Sequence, residues 1–181
     1  MKKTIVGSVI MKKIIFLLLL FIGAFAFSNE YSEKEKNTIL TQFVEFQKAV
    51  KAKDINTLNK MIKYPLMGYS AEDGFYTDNN GTVTQKEIVT NKKDFLEWVK
   101  DVTLPEVNLK NNTVKDYKKG DVSITASFMN EEIKEQWGFE SGDKVFIVFV
   151  SYDDPEFPGF NSYNFIFENN TLKLVKIFGG P

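Results

Sequence analysis

The chain contains no cysteine, no histidine and no arginine. Without cysteine there are no disulfides, thiol nucleophiles, thiolate ligands or lipid-modified N-terminal Cys. Without histidine there are no imidazole ligands and no Ser-His-Asp triad. Without arginine the chain lacks the planar fork that grips phosphate or guanine at two points. All 23 basic residues are therefore lysines. They are scattered among 24 acids and form no stripe. No nucleic-acid partner is expected from that distribution, and no metal or cofactor from the residue types.

What is present starts with a leader. "MKKTIVGSVI" is followed by a second "MKK", so translation can start at Met1 or Met11. Lys12 and Lys13 precede the apolar run Ile14–Phe27, and small residues follow, with cleavage expected before Phe27 or Asn29. That run of about 14 residues is shorter than the roughly 20 that a spanning helix needs. Residues 1–28 thus read as a secretory signal and 29–181 as a single exported domain, periplasmic or secreted, with no stable membrane span after signal removal. The exported part carries a net charge of about −5. A domain of roughly 150 residues buries enough surface to fold without disulfides.

Ser32 and Glu35 form a capping box. Ile39, Leu40, Phe43, Val44, Phe46, Gln47 and Val50 then recur at helical spacing and predict one broad-faced amphipathic helix. Asp54 caps a second, short helix with Ile55, Leu58, Met61 and Ile62 inward. Pro65 disfavours helical geometry at Tyr64 and ends it there. "PLMGY" reads as extended, and Asp73-Gly74 and Asn80-Gly81 read as turns. "TVTQKEIV" follows as a strand. Asn91 caps a third helix whose apolar face is Phe95, Trp98, Val99 and Val102.

Beyond Pro105 the period becomes two. A strand is expected within 106–118, then "DVSITASF", "KVFIVFVSY", "GFNSYNFIFE" and "TLKLVKIF", the last two joined by a tight Asn169-Asn170 turn. "VFIVFV" is apolar on both faces and requires cover on both. Helices first and an antiparallel meander afterwards define an α+β domain.

The fixed points Phe43, Phe46, Ala49, Asp54, Leu58, Ile62, Tyr64, Pro65 and Leu66 carry a family resemblance. With "IVTNKKDFLEWV" and the terminal "LKLVKIFGG", the chain resembles the ketosteroid-isomerase and nuclear-transport-factor-like superfamily over roughly residues 37–179. The resemblance implies a cone: three N-terminal helices packed in a strongly curved, mixed, mainly antiparallel sheet. It also implies a pocket at the open end, with Tyr64-Pro65 at the lip. Members include isomerases, dehydratases, ligand-binding modules and interaction domains, so the fold alone assigns no activity.

The residues expected to line that pocket are Tyr64, Tyr69, Trp98, Trp137 and Tyr163. An enzyme of this class works with an Asp base and a Tyr-and-acid oxyanion hole, which needs no histidine. The acids for it would be Asp94, Glu97, Asp116, Glu140 or Asp143. Each reads more simply as a cap, turn or solvated acid. Tyr76, Asp78, Asn80, Gly81 and Glu87 nearly spell a calcium loop, but Tyr76 cannot ligate as its first position requires, and a turn accounts for the same residues. Trp137 and Phe139 sit in a polar stretch, "EEIKEQWGFESGD", as a lid, a contact surface or a local plug. "DDPEFPGF" is a second rim loop.

With no catalytic constellation, the leading expectation is an exported non-catalytic module. It would bind a small apolar ligand, a peptide or a protein through the pocket or its rim. The alternatives are a His-free Asp/Tyr pocket enzyme (isomerase, dehydratase or hydrolase) and a structural envelope protein. A homodimer through the sheet would supply the second cover for "VFIVFV".

Overall fold

The apolar repeat of the first helical segment is longer-reaching than one core can use. In the computed structural model α1 spans Glu33–Ala52 and buries Ile39, Phe43, Phe46, Ala49 and Val50. Those positions keep the i, i+4, i+7 spacing of a single stripe. Leu40 and Val44, expected on the same face, are 38% and 46% exposed. The structure describes residues 31–68, 86–102, 104–115, 120–153, 155 and 159–180. The chain divides into Met1–Ser32 and Glu33–Pro181, and every element named here lies in the second part. The leader read in residues 1–28 lies outside the described residues.

α1 ends on Lys53 at φ 52, and the Asp54 N–H returns to the Ala49 carbonyl at 2.9 Å. This is a left-handed C-terminal cap made by a residue other than glycine. α2 is Ile55–Lys60. Its N-cap Asp54 accepts from the Thr57 N–H at 3.2 Å and the Thr57 hydroxyl at 2.6 Å. The expected extension of α2 through Met61 and Ile62 does not occur. Met61 closes the helix, and Ile62 opens β1 (Ile62–Gly68), where it pairs with Leu174. Strand pairing claims these residues before Pro65 would stop the helix. Ile55 also departs from the expected inward face and is 38% exposed. The Tyr64–Pro65 peptide is cis.

β2 (Lys86–Val89) pairs antiparallel with β1. A side chain on Gly68 would meet Ile88 Cδ1 at 2.6 Å and Cγ2 at 2.8 Å, so the Ile88 side chain would have to shift to admit one. Residues 69–85, with both predicted turns, lie outside the described residues. α3 is Lys92–Asp101, capped by Asn91, whose side-chain oxygen accepts from the Lys93 and Asp94 N–H groups. Phe95 and Val99 are its buried residues.

The meander is as expected. β5 (Asp121–Phe128), β6 (Val145–Asp153), β7 (Gly159–Glu168) and β8 (Thr171–Gly180) pair antiparallel in turn. Asn169 and Asn170 both adopt positive φ, 51° and 58°, as a type I′ hairpin turn requires. β1 adds to β8 in parallel, giving a six-stranded mixed sheet in the order β2-β1-β8-β7-β6-β5. Register shifts in β1 and at Asn164/Phe165 bend it. β3 (Glu106–Asn108) and β4 (Thr113–Lys115) form a separate two-stranded hairpin. The single strand expected within 106–118 is thus two short ones.

Side chains alternate across the sheet, and the two faces have different covers. On the inner face Phe43 meets Phe146 and Phe165 edge-on at 5.7 and 5.6 Å, and Phe46 meets Phe165 at 5.2 Å. Such pairs add about 0.5–1.5 kcal/mol each to simple burial. On the other face Val145, Ile147, Ile166 and Val175 pack with Met129 and Phe139, and Trp137 closes over them. Met129, Trp137 and Phe139 flank a fourth helix, α4 (Glu131–Gln136), in the stretch read as a polar loop, and these flanking side chains supply the cover. Asn130 caps α4 by accepting from the Ile133 N–H at 3.1 Å. The second cover for β6 is therefore supplied, over this part of the strand, by the chain itself.

These packing differences set mutational costs. Phe165→Ala, which removes the ring shared by Phe43 and Phe46, is expected to cost about 3–5 kcal/mol. Val44→Ser, on the exposed stripe, should stay within about 0.5 kcal/mol. Urea unfolding of both variants checks the pair. Similar losses would mean that Val44 belongs to the core.

Candidate functional site

Of the five residues expected to share a pocket, four are described, and these four do not gather around one hollow. Tyr64 is half-buried on β1, donates its hydroxyl to Asn59 Oδ1 at 2.9 Å, and lies edge-on to Phe95 at 6.3 Å. Partial burial pushes its pKa up. Trp98 packs on the other side of Phe95, 6.1 Å between rings, and borders a shallow hollow with Ile88 and Val102. Trp137 closes α4 on the opposite face of the sheet, with Phe178 at 6.3 Å. Tyr163 is 3% exposed in mid-sheet, and burial pushes its hydroxyl far up. Tyr69 lies outside the described residues. The corner around Phe95 unites only Tyr64 and Trp98. Phe43, Phe46, Phe146 and Phe165 pack together on the inner face of the sheet.

The acids do not form an acid–base pair either. Asp94 Oδ2 accepts from the Thr90 hydroxyl and from Asn91 Nδ2 at 2.8 Å, as a helix-start acid. Glu97 is exposed and pairs with Lys100 at 2.9 Å. Asp143 accepts from the Glu140 N–H at 3.0 Å. Asp116 lies outside the described residues. Where the structure moves a carboxyl it moves it down: Asp54 through the Thr57 hydroxyl, Glu106 through Lys115 and Lys51, and Glu131 through Lys134. A general acid at neutral pH needs the opposite direction. Of the calcium-loop residues only Glu87 is described, on β2. Among the described residues no cluster of acids is placed to hold a metal, and no helix is long and apolar enough to cross a membrane.

An apolar-walled space lies elsewhere, between the outer stripe of α1 and the β3–β4 hairpin. It is a cleft of about 470 Å³. Leu40, Phe43 and Val44 form one wall, and Val107 and Leu109 the other. The hairpin is held to the helix by Gln47, whose side-chain oxygen accepts from the Val107 N–H at 2.5 Å. Its turn is fixed in place: Asn108 Oδ1 accepts from the Lys110 N–H at 3.1 Å, and Asn112 takes a positive φ of 49°. This local bonding replaces ladder bonds and stiffens a four-residue loop.

Lysines surround the cleft: Lys48 and Lys51 from α1, Lys110 and Lys115 from the hairpin. Glu106 is the one acid among its lining residues. It takes Lys115 at 2.6 Å and Lys51 at 3.0 Å, and stays ionised below the usual carboxylate range because of them. Lys48 and Lys110 have no ion-pair partner among the described residues. A smaller hollow of about 220 Å³ shares Gln47, Lys51 and Glu106 with the cleft and continues to Leu104 and Pro105.

Sequence reasoning missed Leu40, Val44, Leu109 and these lysines as site residues. Two signals were available. The apolar arc of α1 is wider than one core stripe, and "NLKNNTV" carries an Asn-Asn turn next to β-branched residues.

The second face of the sheet holds a buried polar group. Lys176, 6% exposed, donates to the carbonyls of Trp137 and Gly138 at 2.7 and 2.8 Å and lies 4.2 Å from the Phe139 ring centre. It fastens the end of α4 to β8. Nearby on β7, Asn164 Nδ2 donates to Ser162 Oγ at 3.1 Å, while Asn164 Oδ1 is buried without a partner.

No protein-family model matches the chain, and no curated protein is significantly similar to it in sequence. Solved structures that resemble it include a cystatin-like fold protein from Burkholderia xenovorans LB400. That match has 12% identity and a TM-score of 0.42, covering 82% of this chain and 92% of that one. Another is an NTF2-like protein of unknown function from Shewanella baltica OS155. Here the identity is 9% and the TM-score 0.37, covering 82% and 95%. At such low overlap neither neighbour lends this chain a ligand or a partner.

Burial pulls the Lys176 pKa down to about 8 from 10.5, with Asp143 opposing in part. Between those values the unfolded chain keeps the proton and the folded chain has released it. Folded protein binds fewer protons there, so this group's contribution to stability rises with pH from about 8 to 10.5. Urea midpoints of wild type and Lys176→Met, compared at neutral and alkaline pH, should move apart in favour of wild type. A gap independent of pH would place the ammonium in water.

Proposed function

We propose that the chain is an exported, non-catalytic binding module, and that its ligand seat is the cleft between α1 and the β3–β4 hairpin. The cone interior is not the seat in this reading. The observation that carries it is a division of labour on one helix. The Phe43–Phe46 stripe fills the inside of the sheet, while Leu40 and Val44 stand exposed in a concave cleft opposite Val107 and Leu109. The volume falls within the range usual for small-molecule sites, and apolar walls meet a charged rim. A small apolar ligand, or an apolar side chain of a peptide or protein, is the class of occupant. Export rests on the leader pattern of residues 1–28.

Among the described residues the Asp/Tyr enzyme reading finds no acid–tyrosine pair to work with. The Tyr64 hydroxyl is given to an amide, and the shifted carboxylates shift downward.

The test uses an uncharged solvatochromic dye, 1-N-phenylnaphthylamine, so that charge plays no part. Wild type should bind it one to one with a blue-shifted emission. Val44→Glu, which puts a charge in the apolar wall, should weaken binding by about tenfold or more and leave the urea midpoint nearly unchanged. Dye binding indifferent to Val44→Glu would remove the cleft as the seat.

A further inference from the structure

We infer that the cleft takes a single-chain amphiphile with an anionic head, its tail along Leu40 and Val44 and its head between Lys48 and Lys110. The inference rests on the cleft being the ligand seat and adds the chemistry of the occupant.

Three observations carry it. The first is a polarity gradient along one helix face. Leu40, Val44 and Lys48 are spaced i, i+4, i+8, so the α1 wall passes from apolar to cationic over about 12 Å. An extended chain of about ten carbons has that length. The second is charge. Four lysines and one carboxylate line a cleft on a chain whose net charge is −1. Glu106 is occupied by Lys51 and Lys115. Lys51 also stands in the last turn of α1, where a cation suits the helix end. Neither account reaches Lys48 and Lys110, which form no ion pair among the described residues. The third is size. A cleft of 470 Å³ holds on the order of fifteen water-sized groups, against twelve heavy atoms in a ten-carbon carboxylate.

A cationic head is disfavoured by the same ledger, and a neutral one leaves Lys48 and Lys110 with water alone. Lysine offers point charges and no fork, so a compact monoanion satisfies the site as well as a branched one.

The experiment is displacement of 1-N-phenylnaphthylamine from the full exported chain by decanoate, 1-decanol and decyltrimethylammonium, each below its micelle concentration. Decanoate should displace the dye at least about fivefold more effectively than decanol at low salt, decyltrimethylammonium least. The preference should shrink as salt screens the exposed lysines. Lys48→Gln with Lys110→Gln should bring decanoate to the level of decanol and leave decanol and dye binding unchanged, which also shows that the double variant is folded. Equal displacement by decanoate and decanol in wild type overturns the anionic head and leaves the cleft standing. Displacement by none of the three, or dye binding that ignores Val44→Glu, overturns the seat itself.

Discussion

The meeting of Phe43 and Phe46 with Phe146 and Phe165 fixes how everything else in the domain is arranged. Four rings in edge-to-face contact hold α1 against the inner face of β6 and β7, and they do so at one rotation of the helix. A helix turns about 100° per residue. Once positions 39, 43, 46 and 50 point inward, positions 40 and 44 point to the side, whatever their hydrophobicity. The outer stripe of α1 is thus a consequence of core packing, and the hairpin that faces it turns that consequence into a cleft.

Two glutamines complete the placement. Gln42 donates to the Asn170 carbonyl at 2.9 Å and accepts from the Leu172 N–H at 2.7 Å, tying α1 to the β7–β8 turn. Gln47, five residues on, ties it to Val107 of the hairpin. Each clip contributes on the order of 1 kcal/mol net per hydrogen bond, small beside the rings but directional. The rings set the rotation of α1, and the amides set which strands lie beside it. Exposed ion pairs such as Lys63–Glu168 at 3.2 Å add little to either.

The meander was legible because its signals are local. Period-two alternation, the Asn169-Asn170 turn and the doubly apolar "VFIVFV" each depend on neighbouring residues alone. The cap residues Asp54 and Asn91 were legible for the same reason. The end of α2 was not, because Met61 and Ile62 are apolar at both helical and strand spacing, and only pairing with Leu174 decides between them. The six residues of α4 were hidden by their polarity, and only tertiary packing brings the side chains that flank them, Met129, Trp137 and Phe139, over Val145 and Ile147. The candidate pocket residues are aromatics, and three of the four described ones serve packing at two separate places: Tyr64 and Trp98 against Phe95, Trp137 against Phe178. Residue type carries no information about which side of a sheet a ring will reach.

Leu40 and Val44 taken singly would need no explanation, since apolar atoms make up much of any protein surface. Their setting is what distinguishes them. On a convex surface each would be isolated by neighbouring polar side chains. Here the hairpin, held by Gln47 and stiffened by its Asn108 turn, places Val107 and Leu109 opposite them and leaves a gap between. A hairpin free to collapse onto α1 would close that gap and bury Leu40, Val44 and the rest of Leu109, gaining on the order of 25 cal/mol per Å² of apolar surface. The Glu106–Lys51 ion pair bridges hairpin and helix at one end of the cleft, and the Glu106–Lys115 pair ties β3 to β4 within the hairpin. They fix the separation there with groups that prefer to stay hydrated, and so they work against collapse. The apolar gap thus stands between a clip at its base and hydrated charges along its side.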